Sequence, residues 1–272
     1  MIVQIFSATD PGLLRSQNED SIAFDAPLGL CILADGMGGH NAGEIASGMA
    51  TAFIKSEMRN ALVNVGKSAG PIEVRETIVQ SINKANGAIF NMSRTNPLYN
   101  GMGTTLVIGV FRGDVLLLAH IGDSRCYRLR GDQMQQLTKD HSVWQEQVDS
   151  GLVATDHAMP RSPGQNLVTR ALGVDGLVLA DIDQFDLAPD DIYLLCSDGL
   201  SDMVSDDAIA AIVRADAPIE QKAQQLVAAA NDGGGRDNIS VMLVKVFAEP
   251  KSGLLGSARR AIKGVWPGAK RN

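Results

Sequence analysis

Apolar residues recur along this chain at two spacings, and the changes of spacing mark its elements. Runs that are apolar throughout, or that alternate with polar residues, predict strands at Ile2–Ala8, Ser21–Phe24, Gly29–Ala34, Thr104–Phe111, Val115–Ile121, Arg125–Leu129, Leu177–Phe185, Ile192–Cys196 and Ile239–Phe247. Gly113-Asp114 stands between two of these runs as a hairpin turn, and Arg130-Gly131-Asp132 marks another. A helical period takes over in two long segments. Ala42–Leu62 places Ile45, Met49, Ala52 and Phe53 on one face, and Ile72–Met92 does the same with Ile78, Ile82, Ala85 and Ile89. Shorter helices are predicted at Asp206–Arg214 and Ile219–Ala230, the latter closed by Asn231 and the Gly233–Gly235 run. Hairpins follow hairpins without strict alternation with helices, which points to an α+β fold with antiparallel sheets. The economical packing is a four-layer α-β-β-α sandwich, two central sheets flanked by helices.

Composition adds limits. With 45% hydrophobic and 20% charged residues in 272, the chain can bury a sizeable core, and nothing interrupts it before about residue 250. Residues 1–249 therefore read as one domain. The remainder, 250–272, carries Lys251, Arg259, Arg260, Lys263, Lys270 and Arg271 without an acid, and reads as a flexible basic tail that docks on an acidic partner or a membrane surface. A net charge of −7 leaves −13 on the first 250 residues, the wrong sign for coating nucleic acid. Aromatic residues, at 4%, offer few platforms for stacking bases. Cys31, Cys126 and Cys196 lie far apart in apolar runs and read as buried, reduced thiols of a cytoplasmic protein. No basic residue precedes Arg15, and no apolar run approaches the ~18 residues of a membrane span, so neither a signal peptide nor a transmembrane segment is expected.

The acids gather at strand ends among glycines. Leu30–Ala34 stops at Asp35-Gly36-Met37-Gly38-Gly39-His40, and Leu194-Leu195-Cys196 stops at Ser197-Asp198-Gly199. Gly122-Asp123-Ser124 and Gly235-Arg236-Asp237-Asn238 repeat the format, joined by Arg15-Ser16-Gln17-Asn18-Glu19-Asp20. One such aspartate alone reads as a turn residue. Four in one format can share a pocket, where their repulsion calls for hard cations, and all-oxygen ligand sets suit Mg²⁺ or Mn²⁺. Two such ions can activate a bridging water and clamp a phosphoryl group beside an arginine. Competing chemistries fail on spacing. A cysteine-nucleophile phosphatase needs an arginine six residues after its cysteine, where this chain has Met37, Asp132 and Asp202. Gly66-Lys67-Ser68 lacks the upstream glycine of a P-loop, having Ala61 there.

In this order, Arg15-x-x-Asn18-Glu19-Asp20, Asp35-Gly36-Met37-Gly38-Gly39-His40, Gly103-Thr104-Thr105, Gly122-Asp123-Ser124-Arg125, Asp140-His141-Ser142, Thr169-Arg170-Ala171-Leu172-Gly173, Ser197-Asp198-Gly199-Leu200 and Arg236-Asp237-Asn238-Ile239 resemble the motifs of metal-dependent protein phosphatases. These are the type 2C serine/threonine phosphatases, and the bacterial branch in particular. The resemblance spans roughly residues 5–247 and implies the same two-sheet sandwich. It implies that Asp35 bridges two Mn²⁺ or Mg²⁺ ions, that the Gly36 carbonyl binds one, and that Asp198 and Asp237 complete the other. Asp123, with Asp198, matches the place of a third ion, and Arg15 the phosphate-binding arginine. Glu19 and Asp20 would hold waters on the ions, and Asn238 would support the ligand shell. The implied substrates are phosphoserine and phosphothreonine proteins, among them a serine/threonine kinase and its targets. Met37 stands where the eukaryotic pattern has a general-acid histidine, leaving a water on an ion, or His40, as donor to the leaving group. His40 and His141 themselves read as structural, hydrogen-bonded residues. Val143–Leu167 matches a variable flap, with Met159-Pro160-Arg161-Ser162-Pro163-Gly164 as its loop. A non-catalytic pseudophosphatase is the alternative, and it should have lost one of Asp35, Asp198 and Asp237, all of which are present.

Overall fold

The computed structural model describes residues 1–39, 42–66, 70–152 and 167–249. One antiparallel sheet has the order β1 (Ile2–Asp10), β11 (Ile239–Phe247), β10 (Ile192–Cys196), β7 (Arg125–Arg130) and β8 (Gln133–Gln136). The other runs β2 (Asp20–Asp25), β3 (Leu30–Met37), β5 (Leu106–Arg112), β6 (Val115–Ile121) and β9 (Asp181–Asp186), with the short β4 (Gly103–Thr104) paired to the end of β3. The long helices α1 (Ala42–Val65) and α2 (Pro71–Thr95) cover the second sheet, and α5 (Asp206–Arg214) and α6 (Ile219–Asp232) cover the first. Two short helices, α3 (Val143–Asp149) and α4 (Asp198–Ser201), complete the chain. The four layers are those expected.

Strand alternation builds three cores from single runs. On β3, Leu30, Ile32 and Ala34 face the helices while Cys31 and Leu33 face the opposite sheet. On β11, Val241 and Leu243 meet α5 and α6, whereas Met242, Val244 and Val246 point inward between the sheets. Burial on both faces explains why these runs are continuously apolar. All three cysteines are buried and unpaired.

Four expectations shift. The buried face of α1 is Ala42, Ala46, Ala50, Ile54, Met58 and Leu62. Ile45 and Met49 only flank it, and Ala52 and Phe53 are exposed. Small side chains at 42, 46 and 50 let the helix lie close on β3, so size misleads as a guide to the inner face. The strand predicted at Thr104–Phe111 breaks at Thr105, because Thr104 pairs with Gly36 while the strand resumes beside β6. The strand predicted from Leu177 begins only at Asp181, where pairing with β6 starts opposite His120. β8 is an edge strand with one apolar residue, Met134, and therefore carries no hydrophobic signal.

The basic tail from Lys251, the loop Met159–Gly164 and His40 lie outside the described residues. The base of the flap is described: α3 follows Ser142, Val143 N–H donates to the Leu167 carbonyl at 3.0 Å, and Ser142 pairs with Val168. Among the described residues no helix is long and apolar enough to cross a membrane.

Candidate metal centre

Both sheets bring chain reversals to one end of the sandwich. β2 and β3 pair in the register Asp20↔Asp35, so two carboxylates sit side by side. At Asp35 the strand changes partners, and its backbone is held three times. Its carbonyl accepts from Thr105 N–H and Thr104 Oγ1, both at 2.8 Å, and its N–H donates to Thr105 Oγ1 at 3.1 Å. The next residue must be glycine. A Cβ on Gly36 would lie 2.2 Å from the Gly43 carbonyl oxygen, and its N–H donates to the Glu19 carbonyl at 3.1 Å.

The first sheet supplies Asp198, which opens α4 after β10, and Asp237, which precedes β11. These two loops touch through Gly199, whose Cβ would meet the Asn238 carbonyl oxygen at 2.0 Å. Asn238 clamps the segment before β2. Its Oδ1 accepts from Glu19 N–H at 2.7 Å, and its Nδ2 donates to the carbonyls of Pro11 and Gln17 at 2.9 and 2.8 Å. That clamp delivers Arg15, whose guanidinium donates to Asp237 Oδ2 at 2.7 Å. Ser197 Oγ donates to Asp20 Oδ2 at 2.8 Å and ties the sheets together. Asp123 arrives from the turn joining β6 to β7, where Ser124 Oγ and Thr105 Oγ1 lie 2.8 Å apart. The structure thus brings together Arg15, Glu19, Asp20, Asp35, Gly36, Asp123, Asp198, Asp237 and Asn238.

The electrostatics of this grouping are unfavourable as it stands. Burial, then the charges of Asp20, Asp198, Asp123 and Asp237, push the Asp35 carboxyl well above the usual range. Burial and neighbouring acids push Asp20 up to about 7, against hydrogen bonds from Ser240 and Ser197. Asp123 is pushed up to about 8 by burial, Asp198 and Asp140, and Asp198 to about 6 by burial, Asp202 and Asp237. Burial also raises Glu19, against the pull of Arg15. Asp20 Oδ1 is buried without a hydrogen-bond partner. Carboxylates that repel one another around an orphaned oxygen are a donor set that hard divalent cations fit.

Asp202 completes the acidic recess that also contains Asp123 and Asp198. It stands four residues beyond Asp198, one helical turn on, and its N–H donates to the Asp198 carbonyl. That spacing was a signal available in the residue order. A second group, His120, His141 and Asp181, holds its ligand atoms within 4.8 Å of one another. Arg170 Nη1, however, lies 3.1 Å from Asp181 Oδ1 and 3.3 Å from His141 Nε2, so a guanidinium already supplies the positive charge. His141 is packed and hydrogen-bonded as expected, and burial lowers its pKa.

A sequence profile described as "Protein phosphatase 2C" matches residues 15–240, most of the chain and every loop of this site. The chain belongs to the protein phosphatase 2C family. As a member it is a hydrolase, a metal-dependent phosphoprotein phosphatase, and membership favours catalysis over a pseudophosphatase role. It is 35% identical over 240 residues to the serine/threonine phosphatase stp of Listeria innocua, covering 87% of this chain and 93% of that one. The crystal structure of the Mycobacterium tuberculosis serine/threonine phosphatase PstP/Ppp superposes with a TM-score of 0.83 at 35% identity, covering 91% of this chain and all of that one. A PstP catalytic domain in complex with two manganese ions matches with a TM-score of 0.78 at 34% identity, over 91% of this chain and 99% of that one.

Proposed function

We propose that this protein hydrolyses phosphoserine and phosphothreonine on proteins at a centre of two Mn²⁺ or Mg²⁺ ions. Asp35, the Gly36 carbonyl, Asp198 and Asp237 would hold them, with Asp123 and Asp198 at a third. The observation that carries this reading is the convergence of mutually repelling carboxylates with the Arg15 guanidinium on Asp237 at their edge. When bound, the ions supply Lewis-acid polarisation of the phosphoryl oxygens and activation of the attacking water. The chain supplies the rest. Arg15 is half exposed, with Nη2 committed to Asp237, and its other N–H groups would be available to a phosphate oxygen at the rim. Asn238 fixes Arg15 and Glu19 in one rigid segment, which keeps the guanidinium from being reoriented by each substrate. Glu19 and Asp20 face the site as acceptors for water. Met37 offers no proton at the end of β3.

The finer assignments belong to the same reading: a cytoplasmic enzyme opposing a bacterial serine/threonine kinase, with domain 1–249 catalytic and tail 250–272 docking on an acidic partner or membrane surface. Turnover of a phosphothreonine peptide should vanish in chelator and return with Mn²⁺. It should survive thiol alkylation, since Cys31, Cys126 and Cys196 are fully buried and burial drives all three thiols up. Arg15→Lys should lower kcat/KM by about a hundredfold, a point charge replacing a fork. Full turnover by Asp198→Asn, or hydrolysis independent of metal, would overturn the proposal.

A further inference from the structure

Asp123 sits on a tight turn of the site. Gly122 before it has φ +98°, and a Cβ there would stand 2.7 Å from Thr105 Cβ, so the turn is pressed directly on the residue that grips Asp35. Such a turn keeps its shape only if its peptide groups are held. Both polar groups of Gly122 go to one residue. His141 N–H donates to the Gly122 carbonyl at 2.9 Å, and Gly122 N–H donates to His141 Nδ1 at 3.1 Å. The approach of an N–H to Nδ1 places the lone pair there and the ring hydrogen on Nε2, which meets Asp181 Oδ2 at 3.3 Å, while Arg170 Nη1, at 3.3 Å from the same nitrogen, directs its own hydrogen to Asp181 Oδ1. The ring cannot turn away. It is 6% exposed, stacks on His120 with centroids 4.8 Å apart, and has Asp181 braced by Arg170. The His141 carbonyl also accepts Thr169 N–H at 2.8 Å, joining the same residue to the base of the flap.

We propose that His141 is a positioning residue that clasps Gly122 and thereby sets the Asp123 carboxylate toward Asp198 and the metal centre. This rests on the reading of Asp123 as a ligand. His141 touches no reacting atom; it acts through the turn.

The test uses the full-length protein with three substitutions. Asn carries an oxygen where the ring carries Nδ1 and can still accept from Gly122. Gln reaches only the Nε2 position, and Leu offers no acceptor. In metal-free protein, hydrogen exchange at the Gly122 amide should rise about tenfold or more in His141→Leu and His141→Gln, while His141→Asn stays close to the parent. Manganese titration calorimetry should show the Asp123-dependent ion weakened by about tenfold in the same two variants, and no further loss when either is combined with Asp123→Asn. Equal behaviour of Asn and Leu, an unchanged Gly122 amide, or full additivity with Asp123→Asn would overturn the proposal. An isotherm that Asp123→Asn alone leaves unchanged would instead overturn the ligand role of Asp123. The exchange measurement would still decide whether His141 holds the turn.

Discussion

Asp35→Asn should abolish turnover, by at least about a thousandfold, while making the metal-free protein more stable. Asp35 is central to both halves of that result. It lies nearest, in electrostatic effect, to four other acids, and its backbone is fastened by Thr104 and Thr105, so its side chain cannot withdraw. Without ions the folded state must either crowd negative charge or bind protons. Removing one carboxylate relieves that conflict by about 1–2 kcal/mol, roughly 2–6 °C in Tm. The sign can be checked by pH. Asp20, Asp123 and Asp198 all have folded-state pKa values raised by burial and neighbouring acids above the ordinary aspartate value of 3.8, to about 7, 8 and 6. The folded metal-free protein thus binds more protons than the unfolded chain between about pH 4 and 8, and its stability falls as pH rises through that window. Melting in chelator from pH 5 to 8 should show that decline, with a shallower slope in Asp35→Asn. Saturating Mn²⁺ should reverse the ranking, because ions that bind only the folded state stabilise the parent more than the variant. A metal-free variant less stable than the parent at pH 8 would contradict the repulsion described.

Arg125→Ala should destabilise the protein by about 3–5 kcal/mol, a loss measurable as a lower urea midpoint at unchanged slope. Arg125 and Asp140 are each only 10% exposed and pair through Nε and Nη2 of the guanidinium, at 2.7 to 3.1 Å. The remaining arm donates to Tyr127 Oη, which donates on to Asp206 at the start of α5. Truncation leaves a near-buried carboxylate facing Asp123 and, among the described residues, the Gln136 amide as its side-chain donor. A pair at the surface tells the contrast. Arg214 with Asp132, whose side chain is 95% exposed, should change the midpoint little when Arg214 becomes Ala.

Strand ends proved the most legible feature of the residue order. Leu30–Ala34 and Ile192–Cys196 are apolar on both faces because each is packed between a sheet and a helical layer, and an aspartate can follow only where that enclosure ends. The acids at 35, 123, 198 and 237 were therefore visible as a set. Other contributions left no pattern. Thr105 looks like any β-branched strand residue, and only the change of partner along β3 turns its hydroxyl toward Asp35. Asn238 could be placed beside the site but not read as a clamp, since the carbonyls it binds, Pro11 and Gln17, lie more than two hundred residues away. The inner face of α1 leaves no pattern because three alanines mark it, and alanine is common on either side of a helix.

Ser197 Oγ, reaching from the end of β10 to Asp20 on β2, crosses from one sheet to the other. The acids around it divide in the same way: Asp20 and Asp35 belong to one sheet, Asp198 and Asp237 to the other, and Asp123 to the turn between them. No half of the molecule can assemble this set by itself. Ion binding must then come after the sheets dock, so divalent cations should act as a late latch on the finished fold. They would prolong the lifetime of the native state by slowing its opening, and would leave the search that builds it unhurried.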